Sequence, residues 1–122
     1  MPKIKHLKIT NSKKSMNSFF EICDTFNSRM RGLMFRAHPA FLLFEFGLAD
    51  LNPIHSFFVI FPFDAVYLDS EHKVVAAFEA VSPFTPYLEP NKVNKFLLEA
   101  PVGFIKELEI KEGDKLKIEL QG

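Results

Sequence analysis

The chain has 122 residues, enough for one hydrophobic core and too few for two, so residues 1–122 are expected to form a single domain. Fifteen basic residues balance fifteen acidic ones, which removes the broad positive field that nucleic acid or an acidic membrane surface would need. Fifteen phenylalanines and no tryptophan supply large rings that pack without requiring a hydrogen-bond partner.

Five lysines (Lys3, Lys5, Lys8, Lys13 and Lys14) fall in the first twenty residues, which contain no acid. They suggest an edge strand protected by charge, rather than an arm for a polyanion. Lys3 to Thr10 mixes these lysines with Ile4, Leu7 and Ile9 and predicts a strand. The polar tract Asn11 to Asn17 predicts a turn, and Ser18 to Asp24 a second strand, completing a hairpin. Thr25, Asn27 and Ser28 offer oxygens that cap a short helix through Arg29, Met30 and Arg31, with Gly32 at its end.

Phe41 to Phe46 reads as a buried strand, followed by a loop from Gly47 to Pro53. His55 to Phe61 and Phe63 to Asp69 are apolar at alternate and intervening positions alike, the pattern of strands covered on both faces, with Pro62 breaking them apart. Ser70-Glu71-His72 makes a tight connection into a strand from Lys73 to Val81. Pro83, Pro86 and Pro90, with Tyr87 among them, predict an irregular loop. Asn94 to Glu99 returns to strand, Pro101 opens a short helix through Lys106, and Gly113-Asp114 turns into Lys115 to Leu120, which alternates apolar and charged residues.

Short strands without long crossover helices cannot form a doubly wound parallel sheet. The expected fold is mainly β (α+β): a small closed or partly open β-barrel of about seven or eight short strands with two short helices. The longest apolar run, Phe57 to Phe63, has seven residues, against the ~20 needed to span a bilayer. With one cysteine, Cys23, and no leader-like start, the chain reads as a soluble protein of a reducing cytoplasm.

Four blocks resemble a known family: Arg29-Met30-Arg31-Gly32-Leu33-Met34-Phe35-Arg36, Ile54 to Asp69 with its His55-Ser56-Phe57-Phe58 and Phe61-Pro62-Phe63-Asp64 strings, Leu97 to Gly103, and Gly113-Asp114. In this order they are similar to the prokaryotic family called domain of unknown function 192. The resemblance implies a small β-rich, barrel-like fold and no agreed reaction.

Asp64 lies between apolar runs, and a buried carboxylate costs several kcal/mol, roughly, unless paired or hydrogen-bonded. Arg29 and Arg36 are the expected partners, together with backbone N–H groups near Pro62. Two guanidiniums against one carboxylate would leave one free to hold a small anionic ligand beside His55. The expected ligand pocket is therefore Arg29, Arg36, His55 and Asp64, with Glu99 joining if its strand neighbours theirs. The favoured reading of Arg29, Arg36 and Asp64 is a structural ion pair tying the short helix to the central strands, with the ligand pocket as its functional alternative. A single histidine at a strand start commonly bonds a backbone group.

No metal or other cofactor is expected, since His6, His38, His55 and His72 are scattered and the lone cysteine makes no paired-thiolate motif. Cys23 sits on an apolar strand, as a small buried hydrophobe would. Three classes of function stay open. A small binding domain leads, followed by a structural or interaction domain with a phenylalanine-rich docking face, then an enzyme using the arginine, histidine and aspartate set.

Overall fold

The computed structural model describes residues 3–32, 36–53, 59–85, 88 and 90–121, with the backbone alone for residues 26 and 27. The elements run β1 (Lys3–Asn11), β2 (Lys14–Cys23), α1 (Phe26–Arg31), β3 (Leu42–Asp50), β4 (Phe63–Leu68), β5 (Val74–Val81), β6 (Asn94–Ala100), α2 (Phe104–Leu108) and β7 (Lys117–Leu120). The strands form one seven-stranded sheet in the order β5-β4-β6-β3-β2-β1-β7, curled into a half-barrel.

Every neighbouring pair is antiparallel except β2 and β3, which run parallel because α1 carries the chain back between them. Thr25 caps α1 by accepting from the Ser28 N–H while the Ser28 hydroxyl accepts from the Thr25 N–H, a reciprocal capping box. Gly32 ends the helix at φ 44°, where a Cβ would also meet the ring of Phe44 at 3.1 Å.

The two outer strands approach each other at one end. Lys73, just before β5, forms an isolated antiparallel bridge with Lys115, just before β7. The Leu116 N–H donates to the His72 carbonyl at 3.0 Å, and the Val74 N–H to the Asp114 carbonyl at 2.7 Å. The sheet is thus drawn together at this end without a continuous ladder, which is the partly open form of the expected barrel.

The sheet packs apolar side chains on both faces. Val66 and Leu68 of β4 join Leu7, Ile9, Phe20, Ile22 and Leu98 on the inner face, which Phe104, Ile105 and Leu108 of α2 plug. Phe63, Ala65 and Tyr67 of the same strand join Cys23, Leu42, Phe44 and Leu97 on the opposite face, which Ala40, Val59, Phe61 and Leu88 cover from loops. All six residues of β4 are buried, as a strand apolar on both faces but for Asp64 predicts.

Several expected boundaries shift. The polar tract after β1 is mostly strand: only Ser12 and Lys13 turn, with Ser12 at φ 58°, and Lys14–Asn17 pair with β1 in register. Exposed strand residues need no apolar alternation to pair. β3 runs on to Asp50, into the expected Gly47–Pro53 loop, with a register irregularity between Glu45 and Asp50. Residues 59–62 of the expected His55–Phe61 strand and its Pro62 break are not strand, and residues 54–58 lie outside the described residues, as does Tyr87. Pro101 precedes α2 instead of opening it, because Gly103 takes φ 108° as the N-cap and the helix starts after it. β1 lies between β2 and β7, so its lysines do not line an edge of the finished sheet, except where Lys3 and Lys5 outrun β7.

Candidate functional site

Asp64 is fully buried, but the expected pairing with Arg29 or Arg36 does not form. One carboxylate oxygen accepts from the Ala80 N–H at 2.8 Å, and the other from the Gly103 and Ile105 N–H groups at 3.2 and 3.0 Å. Those last two donors belong to the first turn of α2, which has no side-chain cap of its own. Asp64 therefore caps a helix distant in sequence, and amide hydrogen bonds do the work assigned to a guanidinium.

The arginines are engaged elsewhere. Arg29 Nη1 donates to the carbonyls of Asp24 and Glu45 at 3.0 and 3.3 Å, tying α1 to the ends of β2 and β3. Arg36 Nε donates to the Gly32 carbonyl at 2.9 Å, and its Nη2 meets Glu21 Oε2 at 2.6 Å. Both side chains of this ion pair are mostly withdrawn from solvent. The surplus guanidinium behind the expected anionic ligand is thus already in use.

Strand register separates the predicted residues further. Asp64 pairs with Ala100 and Ala65 with Glu99, so Asp64 and Glu99 emerge on opposite faces of the sheet. Glu99 lies on the loop-covered face in a row with Glu21, Leu42 and Ala65, which are register partners across β2, β3, β6 and β4. Of the five predicted residues, the structure brings together Arg36 and Glu99. Arg29 stays at the rim, Asp64 faces the other core, and His55 lies outside the described residues.

Glu99 is 5% exposed, and among the described residues nothing donates a hydrogen bond to its carboxyl. Burial pushes it up to about 8, against the opposing pull of the Arg36 guanidinium. Burial, then the charges of Glu21 and Glu99, raise the Cys23 thiol to about 12, with Arg36 again opposing.

Glu21 was not among the predicted site residues, although it carries the same signal as Asp64: one acid inside the apolar run Phe19-Phe20-Glu21-Ile22-Cys23. Among the described residues no three histidine, cysteine or acidic side chains are grouped so as to hold a metal ion, and no helix is long and apolar enough to cross a membrane.

The model of the family described as Uncharacterized ACR, domain of unknown function 192, matches residues 7–118. A UPF0127 protein of Pyrococcus abyssi is 34% identical over 113 residues, covering 89% of this chain and 95% of its own length. A UPF0127 protein of Thermococcus kodakarensis is also 34% identical over 104 residues, which are 83% of this chain and 65% of that longer relative. Among solved structures, a Sinorhizobium meliloti protein named as a candidate transcription regulator superposes with a TM-score of 0.86 at 20% identity, covering 95% of this chain and 94% of its own. A Novosphingobium aromaticivorans protein of unknown function gives 0.84, also at 20% identity, covering 96% and 92%. These two likenesses concern the fold alone. With nearly its whole length matched by the family model and by relatives sharing a third of its residues, the chain belongs to the Uncharacterized ACR family, domain of unknown function 192.

Proposed function

We propose that this chain is a small-molecule binding domain whose seat lies on the loop-covered face of the sheet, over Glu99, Arg36 and Glu21. The observation that carries this reading is the Glu99 carboxyl, 95% withdrawn from solvent yet without a hydrogen bond among the described residues. A native fold rarely tolerates such a group without a use for it. Its neighbours Leu42 and Ala65 are apolar and fully buried, giving the mostly apolar lining with a few directed polar groups that characterises ligand sites.

The competing classes have less support. A thiol raised to about 12 is not a nucleophile at neutral pH, which weakens an enzyme built on Cys23. Among the described phenylalanines only Phe19 and Phe84 are exposed, so most of the rings that would form a docking face are spent in the two cores.

Native mass spectrometry of freshly purified protein, followed by amide chemical-shift titration with the released compounds, tests the proposal. The expected result is a stoichiometric small molecule whose re-addition shifts residues 97–100 and their partners Leu42 and Ala65. A compound that shifts only the inner face around Phe104 and Leu108 overturns it.

A further inference from the structure

The charges at this seat also indicate which kind of molecule fits it, an inference that rests on the reading just given. On the loop-covered face two carboxyls, Glu21 of β2 and Glu99 of β6, accompany a single guanidinium, Arg36, which is held by Glu21 at 2.6 Å and by the Gly32 carbonyl. β3 and β4 present only Leu42 and Ala65 next to Glu99, and β2 adds the neutral Cys23 thiol. Lys95, on the same face of β6 beyond Leu97, gives its ammonium to the Phe46 carbonyl, so among the described residues both cations of this face are engaged and Glu99 has no hydrogen-bond donor. An incoming anion would meet a guanidinium already neutralised by Glu21 and would sit beside a second carboxyl, Glu99. An incoming cation would instead meet a buried acceptor with both oxygens unused and bring the group to neutrality.

We infer that the seat takes a small alkylamine in its ammonium form, the N–H groups donating to the Glu99 carboxylate and the hydrocarbon lying against Leu42, Ala65 and Leu97. The charge-assisted bond requires Glu99 to be ionised, so binding expels its proton whenever the empty site holds one. Alkylammonium groups stay charged through pH 8, with pKa values of about 10.4 in lysine. With Glu99 titrating near 8 in the free protein, affinity should rise about tenfold per pH unit from pH 6 towards 8 and level off above it.

Butylamine and butyrate, which share a hydrocarbon chain and differ in the sign of the charged end, make the test. Each is titrated into the isotope-labelled protein at pH 6, 7 and 8 while amide shifts are followed, and butylamine is titrated again into Glu99→Gln. The inference expects saturable shifts at residues 42, 65 and 97–100 with butylamine, tightening about tenfold between pH 6 and 7, none with butyrate, and loss of binding in the variant. Butyrate binding there as well as or better than the amine overturns the charge assignment but leaves the small-molecule seat standing. Amine binding that ignores pH, or survives in folded Glu99→Gln, also overturns it. If neither probe moves these residues while a different co-purified compound does, the amine reading fails alone. If no compound does, both readings fail. Should the variant not fold, the pH dependence in the natural sequence decides.

Discussion

Replacing Glu99 by glutamine should change the way stability depends on pH, and the size of the change follows from its surroundings. In the unfolded chain this carboxyl titrates near 4.5; in the folded protein burial raises it to about 8. Between those values the folded state holds a proton that the unfolded state has released, so stability falls as pH rises across this window. At about 1.36 kcal/mol per pH unit, the window sets a ceiling of about 5 kcal/mol on what the natural protein loses between pH 4.5 and 8. Below the window both states are protonated and the contribution is fully present; above pH 8 both are ionised and the loss is complete. Glutamine keeps the shape of the neutral acid but cannot titrate, so any fixed cost of burying its amide cancels from the slope. Urea unfolding of both proteins, followed by far-ultraviolet circular dichroism at pH 5, 6, 7 and 8, should show the variant gaining on the natural chain by about 1 kcal/mol per pH unit. Subtraction removes the other carboxylates, including Asp24, which Lys3 holds below its usual range. Two stability curves running parallel from pH 5 to 8 would refute the reasoning, because Glu99 would then titrate alike in both states and could not be a buried, unpartnered acid.

Two further outcomes follow from the same geometry. Asp64→Asn keeps one acceptor oxygen but turns an amide NH2 toward a backbone N–H that Asp64 now satisfies, and it should cost about 2–4 kcal/mol in the same unfolding assay; faster hydrogen exchange at Ala80, or at Gly103 and Ile105, would locate the broken bond. Cys23, buried and raised to about 12, should react with iodoacetamide at pH 8 about a thousandfold more slowly in the folded protein than in urea, and comparable rates would mean that the loop-covered face opens freely.

Much of the scaffold was legible because strand faces impose a period of two. The alternation over Lys115 to Leu120 and the run from Phe63 to Leu68, apolar at every position but Asp64, marked one strand with a single packed face and one with two, and the Thr25–Ser28 pair marked the start of α1. The burial of Asp64 was equally readable, since an acid on a strand covered from both sides must face one core or the other. Its partners were not, because the donors come from α2, some forty residues away, and only tertiary docking delivers them. The candidate site was half legible: Arg36 and Glu99 do share a face, but assigning Asp64 to it required knowing that Ala65, not Asp64, is the register partner of Glu99. Glu21 could have been found by applying to β2 the test that singled out Asp64 in β4.

The position of β7 bears on how the chain assembles. Leu7 and Ile9 stand opposite Leu120 and Ile118, so one flank of the first strand is completed by the last one. During synthesis β1 and β2 can zip together early, yet Leu7 and Ile9 keep an open flank until residues 117–120 have left the ribosome. Closure across almost the whole contour of the chain belongs to the slow, high-contact-order class of folding reactions. The lysines of β1 then discourage neighbouring nascent chains from docking on that waiting flank, and so serve a stage of the molecule's life that the completed sheet no longer displays.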